Sequence, residues 1–491
     1  MKSKLIYILT VCFIFIACLT LYKFDFEVKI SRIHQHKENK VEDNEDSSED
    51  VFQSHLPIVK IETNGQKIPG TPISKEGGVI ISETAENGEN RITAYFSITD
   101  GQSGNNKLNN QESVKSKSLI RYRGNSSRFF DKKSYSINLI NEDGSENKQE
   151  LAGMAKHDEW VLNGPFLDRS LLRNYLCLNI SGEIMEYSPN VRYCELFVDG
   201  KYQGLYLLME SISRGEGRLN ISKPEKNSDI TSFIVRWDRA GKGEFELDNY
   251  TYYTYKSDVS ALDVVYPGST LMTQGRHEYI NEQISKVEKT LYSYDLWDDD
   301  KGYKQYLDIN AFAEYFVINE FFRNVDAGRF STFYYKDVRG KIKPVVWDFN
   351  NSANNYIDYV WDESGFSMQN APWFSQLLKD KEFVDLVIEK YKKLRKNVLS
   401  EEYLINYIDE TNTWLGDSIK RNDEVWGYVY DLNNYNETNF LTPVERNVTS
   451  HEEAVEQLKE FIIKRGNWLD DNIESLYQYS AESKNANEIL K

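Results

Sequence analysis

The sequence predicts an α+β fold, β-rich in its amino-terminal part and largely helical in its carboxyl-terminal part. Three observations carry this. Short runs of β-branched and aromatic residues, separated by Gly/Asn turns, fill residues 56 to 140. Apolar runs on either side of Asp199-Gly200 read as a hairpin. Beyond about residue 370, apolar residues recur at i, i+3/i+4, as in Val455, Leu458, Phe461, Ile462 and Leu469. The 33 Tyr, 24 Phe and 9 Trp among 491 residues supply a large core and exclude global disorder.

The elements follow in order. Leu5 to Tyr22 is almost wholly apolar, with Lys2 and Lys4 before it and Lys23 after it. Its length as a helix, about 27 Å, approaches the hydrocarbon thickness of a bilayer. Three readings stand: an uncleaved anchor, a lipoprotein modified at Cys18 of Phe15-Ile16-Ala17-Cys18, and a cleaved signal. The leading lysines keep the amino end inside, so the bulk is expected to face outward, at a bacterial cell surface. Residues 30–54 are polar, charged and without apolar periodicity, as in a flexible stalk. Gly78–Ile81, Ile92–Ile98 and Ser118–Tyr122 read as strands, and Asp168–Ile180 as a helix. Ile309, Phe312 and Phe316 mark another helix; Thr332–Tyr335 and Lys343–Trp347 mark a second hairpin. Cys177 and Cys194 are either two buried thiols or a disulfide; no Cys/His spacing supports a zinc site.

The chain carries 59 Lys+Arg against 77 Asp+Glu, a formal net charge of −18. That sign argues against a nucleic-acid partner. It also makes local positive charge informative. Arg121, Arg123, Arg128, Lys132 and Lys133 cluster around the small turn residues Gly124, Asn125, Ser126 and Ser127. Cations beside a turn with exposed N–H groups form an anion site. A second cluster is Asn324-Val325-Asp326 with Trp347-Asp348-Phe349-Asn350. Asp348 ends an apolar strand, and a second carboxylate from a preceding loop is how divalent ions are held beside phosphates.

In these stretches the chain resembles the spore-coat CotH kinase family. The resemblance rests on Arg123-Gly124-Asn125-Ser126-Ser127 with Lys132-Lys133-Ser134-Tyr135, on Trp160 to Asn174, and on Phe197 to Glu210. It continues through Asn319-Glu320, Asn324-Val325-Asp326 and Trp347-Asp348-Phe349 to Arg465-Gly466-Asn467-Trp468. It implies an atypical kinase-like fold, with a β-rich N-terminal lobe and a largely helical C-terminal lobe. It further implies use of ATP with Mg²⁺ or Mn²⁺ to phosphorylate Ser/Thr of surface or spore-coat proteins. Arg123, Gly124, Ser126, Ser127 and Lys132 or Lys133 would hold the phosphates, and Glu210 would end the segment facing adenine. Asp326 would be the catalytic-loop carboxylate. Asp348 would bind metal, with Asp326 and Asn350 beside it.

Two positions depart from the family pattern. Asn350 stands where an Asp is usual, and Ser331 where an Asn is usual. Both changes weaken metal ligation, and they motivate the alternative of an inactive surface-assembly or binding protein on the same fold. The helix from Asp168 offers no clear glutamate to pair the phosphate lysine; Glu183, near its end, is left without a role. The expected organisation is an anchor or signal over residues 1–29, the stalk, and one kinase-like domain over residues 55–480. Within the domain, residues 55–210 form the β-rich lobe with one helix, 211–365 the nucleotide and metal region, and 366–480 the helical completion.

Overall fold

The computed structural model describes residues 32–38, 51–76, 79–101, 104–239, 243–251 and 260–481. The apolar run Leu5–Tyr22, with Cys12 and Cys18, lies outside them, as do residues 39–50 of the stalk. Among the described residues no helix is long and apolar enough to cross a membrane. Two pieces of the expected stalk differ from that reading: Gln53–Ser54 pairs as a short strand with Asn106–Lys107, and a second piece is helical. Gln35–Glu38 forms a helical turn, α1, in which Gln35 is 2% exposed. Its polar sequence hid it, because its burial is achieved through hydrogen bonds and ring contacts made by polar side chains.

Seven described strands close into a barrel. They are β1 (Ile58–Glu62), β2 (Ile92–Thr99), β3 (Val114–Arg123), β4 (Ser134–Ile140), β5 (Glu159–Asn163), β6 (Val191–Val198) and β7 (Lys201–Glu210). The order around the barrel is β5-β7-β6-β1-β2-β3-β4 and back to β5. Every pair is antiparallel except β1 with β6, where Ile58 lies opposite Glu195. Asp199 and Gly200 adopt φ of 47° and 75°, the conformation of a type I′ turn, so the β6–β7 hairpin forms where the sequence places it.

Alternation assigns the two faces of each strand. Trp160, Leu162, Tyr206 and Leu208 fill the barrel interior. Val161, Leu205, Leu207 and Met209 face outward into a second core with α2 (Arg173–Ile184). β7 is thus buried on both faces, which explains its unbroken apolar run. Each buried leucine contributes about 2 kcal/mol. The amino end of α2 is held by Asp168, whose carboxylate accepts from the Arg173 backbone N–H at 2.8 Å and from its Nη1 at 2.6 Å.

A four-stranded sheet follows, in the order β9-β8-β10-β11: β8 (Phe233–Arg239), β9 (Ser260–Tyr266), β10 (Thr332–Lys336) and β11 (Lys343–Val345). α3 (Gln274–Leu291) lies between β9 and α4 (Ile309–Phe321). Asp308 caps α4 by accepting from the Ala311 N–H. Stacked rings of Phe312, Tyr334 and Trp373 fix helix to sheet. The carboxyl-terminal part is helical: α5 (Pro372–Leu377), α6 (Lys381–Leu394), α7 (Glu401–Leu415), α8 (Asp417–Trp426) and α9 (His451–Asn472).

α9 carries Arg465, fully buried, which donates to the Glu320 carboxylate at 2.6 Å and to the carbonyls of Glu320, Glu363 and Gly365. Two stretches that carry the family resemblance are therefore partners in a buried ion pair. Cys177 and Cys194 are both free thiols, and burial raises both.

Candidate functional site: facing strand ends

The site forms where one end of the barrel meets one end of the second sheet. At the barrel rim Arg123 is opposite Ser134, and Leu162 opposite Tyr135, so Arg123, Ser134 and Asn163 share that end. In the second sheet Trp237 is opposite Thr332, and Phe333 opposite Val345. That register brings Asp238 and Arg239, Ser331, and Trp347-Asp348 to one end. The Arg123 guanidinium lies over the Trp347 ring at 5.4 Å, joining the two ends.

Asp348 is the centre of the cluster. Its Oδ1 accepts from Asn350 Nδ2 at 2.7 Å and its Oδ2 from the Ser331 hydroxyl at 3.4 Å. Both Asp348 and Ser331 hold positive φ, 55° and 47°. Such conformations cost about 1–3 kcal/mol each and gather at functional sites. Asp326 follows the turn that ends α4. Asn324 in that turn donates to Asn319 Oδ1 at 3.1 Å, which fixes the loop to the helix. The Asp326 carboxylate accepts from Asn351 at 2.8 Å. Burial raises its pKa, and the negative charge of Asp348 raises it further; the Asn351 bond and Arg239 act against this.

The cations are of two kinds. Arg121 and Arg123 are two residues apart on β3, so they leave the same face, away from Ile120 and the barrel interior. Neither makes an ion pair or a hydrogen bond among the described residues, and Arg121 Nε is buried without a partner. Burial lowers the pKa of both; Arg236 lies near enough to lower them further, while Asp348 acts in the opposite sense on Arg123. These are desolvated cations with no counter-ion in contact, the arrangement that an anion completes.

Lys132 is different. It is 1% exposed, and its Nζ donates to the Leu205 carbonyl at 2.7 Å and to Asn422 Oδ1 at 2.8 Å. Burial lowers its pKa to about 7. It faces α8, which docks on β7 and captures the ammonium that the family resemblance would assign to phosphate. The docking needs Gly204 (φ 93°), where a Cβ would meet Asn422 Oδ1 at 2.8 Å and Trp426 Nε1 at 2.9 Å. Lys133 donates to the Arg128 carbonyl at 2.7 Å, closing its own turn. Glu210 is fully buried and accepts from the Asn190 N–H at 2.9 Å, so its carboxylate ties the β7 end to the turn before β6. Gly124 (φ 106°) permits the Ser126–Arg128 turn, since a Cβ there would fall 1.9 Å from the Ser127 hydroxyl. This turn follows Arg123 directly, and Ser126 is exposed.

Asn350 is a brace in this arrangement. Its amide nitrogen holds Asp348, and its Oδ1 accepts from Asn174 Nδ2 at 2.8 Å. Asn174 in turn accepts from the Phe349 N–H at 2.8 Å. Asn174 and Asn351 thus hold the two acidic loops, and the sequence reading gave neither a role. The signal available was weak: asparagines beside recognised motifs. Asp238 and Arg239 were missed because β8 itself was not anticipated, although Phe233–Trp237 is a short apolar run broken only by Arg236.

Among the described residues no group of three or more His, Cys, Asp or Glu is placed to hold a metal. Asp326 and Asp348, whose charges repel one another, are nevertheless a donor pair that a divalent cation relieves. Mg²⁺ commonly takes one or two carboxylates and completes its shell with phosphate and water, so the pair fits such an ion.

The facing strand ends present two carboxylates and two guanidiniums that have no ion-pair partner among the described residues. The sequence comparisons name the family. The family described as CotH kinase protein matches residues 120–469, more than half of the chain, and the chain belongs to it. A relative is the inner spore coat protein H of Bacillus subtilis (strain 168), 23% identical over 306 residues, covering 59% of this chain and 73% of that protein.

Proposed function

We propose that the chain is a protein kinase that transfers the γ-phosphoryl group of ATP to Ser or Thr of surface or spore-coat proteins. The observation that supports this most is the unpaired Arg121 and Arg123 beside Asp326 and Asp348. The guanidiniums hold the triphosphate oxygens. Asp326 and Asp348 would hold Mg²⁺ or Mn²⁺, which when bound draws charge from the phosphate oxygens. Asp326 would take the acceptor hydroxyl's proton. As that oxygen bonds to the γ-phosphorus, the bond to the β,γ-bridging oxygen breaks and ADP leaves. Asn351 orients Asp326, and Asn350 with Ser331 orients Asp348. The ordering of the cleft by fixed charges is what phosphoryl transfer requires. The apolar run Leu5–Tyr22 would tether the enzyme to a membrane, facing outward.

The test is incubation of the purified chain with γ-labelled ATP, Mg²⁺ or Mn²⁺, and coat or surface protein. Label incorporation should disappear in Asp348→Ala and Asp326→Ala. Incorporation unchanged in both variants would overturn the reading. One observation favours a second reading, a nucleotide-binding assembly protein without transfer. Asn350 occupies Asp348 Oδ1 and is itself held by Asn174, which leaves one fewer ligand charge. Its mark would be an ATP-induced thermal shift without label incorporation.

A further inference from the structure

We propose that residues 33–38 are a cis-acting ligand of the folded domain. They dock in a groove between α2, β6 and α7, and by gripping α2 they set the position of Asn174 against the Asp348 loop. The functional consequence rests on the kinase reading; the docking does not.

The groove is built for this segment. β1 pairs with β6 only from Glu195 onward, so among the described residues no strand pairs with the backbone of Tyr193 on that side. Gln35 supplies the missing partner. Its Oε1 accepts from the Tyr193 N–H at 2.7 Å, and its Nε2 donates to the Tyr193 carbonyl at 3.2 Å. The His36 N–H donates to the Tyr175 hydroxyl at 3.2 Å, and the same hydroxyl lies 2.9 Å from His36 Nδ1. One hydroxyl thus meets both the backbone and the ring of His36. Burial lowers its pKa to about 3. The ring packs edge-on to Tyr407 at 4.5 Å.

His34 completes the grip. It lies 2.9 Å from the Tyr407 hydroxyl through Nδ1 and 3.1 Å from Glu183 through Nε2. Glu183 also accepts from the Tyr403 hydroxyl at 2.7 Å. This is the glutamate of α2 for which the sequence offered no partner. Lys37 lies over Tyr403 and Tyr407, 5.1 Å from each ring.

The segment therefore holds α2 near both ends, at Tyr175 and at Glu183. Tyr175 is the neighbour of Asn174, which holds both Phe349 N–H and Asn350. A shift of α2 is then felt at Asp348 through one side chain. The contacts are mostly polar and involve few residues, so the segment can leave at a lower free energy than the domain unfolds. It also lies on the chain between the expected membrane run and the domain, so release of one reports on the other.

The experiment uses the full chain and a Gln35→Ala/His36→Ala variant. Hydrogen exchange should quicken about tenfold or more in residues 173–184 and stay unchanged in α6, the signature of a local release. A synthetic peptide of residues 32–38, added at millimolar concentration, should restore slow exchange in 173–184. Where label transfer is measurable, kcat should fall with KM for ATP little changed, and the peptide should restore kcat. Unchanged exchange in 173–184, or acceleration spread evenly over the domain without rescue by peptide, would overturn the proposal. Local acceleration with rescue, in a protein that transfers no phosphate, supports the docking and defeats the kinase reading instead.

Discussion

Two groups of cations sit within one strand and one turn of each other, and they are built in opposite ways. Lys132 is sealed between β7 and α8, with a carbonyl and an amide oxygen on its ammonium. Arg121 and Arg123 are also desolvated, yet neither has a hydrogen bond or ion pair among the described residues, and Arg123 meets only the face of Trp347. Burial with partners is what structure requires; burial without partners is a cost that folding alone does not recover. The difference separates a residue that joins two parts of the molecule from residues that wait for an anion. By motif alone Lys132 and Arg123 read as equals.

The comparison breaks most sharply at Asp348, on the open side. Asp348→Asn keeps the shape and tolerates the positive φ, yet phosphate transfer should fall about a thousandfold or more. Circular dichroism should show an unchanged fold. On the sealed side, Lys132→Met strands the Leu205 carbonyl, and urea unfolding should show a loss of about 1–3 kcal/mol. ATP affinity should not change; a matching loss of affinity would return Lys132 to the site. Arg121→Ala and Arg123→Ala should do the reverse. Each should weaken ATP binding about tenfold by calorimetry, with unfolding stability unchanged or raised, because a desolvated charge without a counter-ion is removed.

The smallest effect is in pH. Burial holds the folded pKa of Lys132 at about 7, well below the ordinary lysine value of 10.5. The unfolded chain therefore binds the proton more strongly, and stability from this group is lost as pH falls through about 7. Between pH 6.5 and 8.5 the wild type should gain stability relative to Lys132→Met. A constant difference across that range would mean that the ammonium is not desolvated as described.

Much of this was legible in the sequence, and the limits have physical causes. The Asp199-Gly200 hairpin is local chemistry and forms where expected. The helical stripe of α9 is likewise local, and Val455, Leu458, Phe461 and Leu469 are all buried. The helix expected from Asp168 begins instead at Arg173, because Asp168 lies outside it and caps it with its side chain. Barrel closure was not legible, since the β1–β6 pair joins segments far apart in the chain. Asp326 and Asp348 each sit at an element's end, which the sequence shows, and the structure brings their charges within reach of one another. The surroundings of Lys132 were not legible because the residues that capture it, Asn422 and Trp426, arrive from α8. The brace Asn174 was passed over because its partner, the loop after β11, is remote in sequence.

The parallel pairing of β1 with β6 also orders events in time. As the chain leaves the ribosome, β1 to β4 emerge with one edge of β1 unpaired. That edge stays open until β6 has been made, and β5 and β7 must also be present for the ring to close. A sheet of Ile and Phe with a bare edge is a template for joining other chains. Non-local closure of this kind is slow, so the yield of soluble protein should depend on how fast the segment through Glu210 is delivered, and on chaperones that cover β1 in the interval.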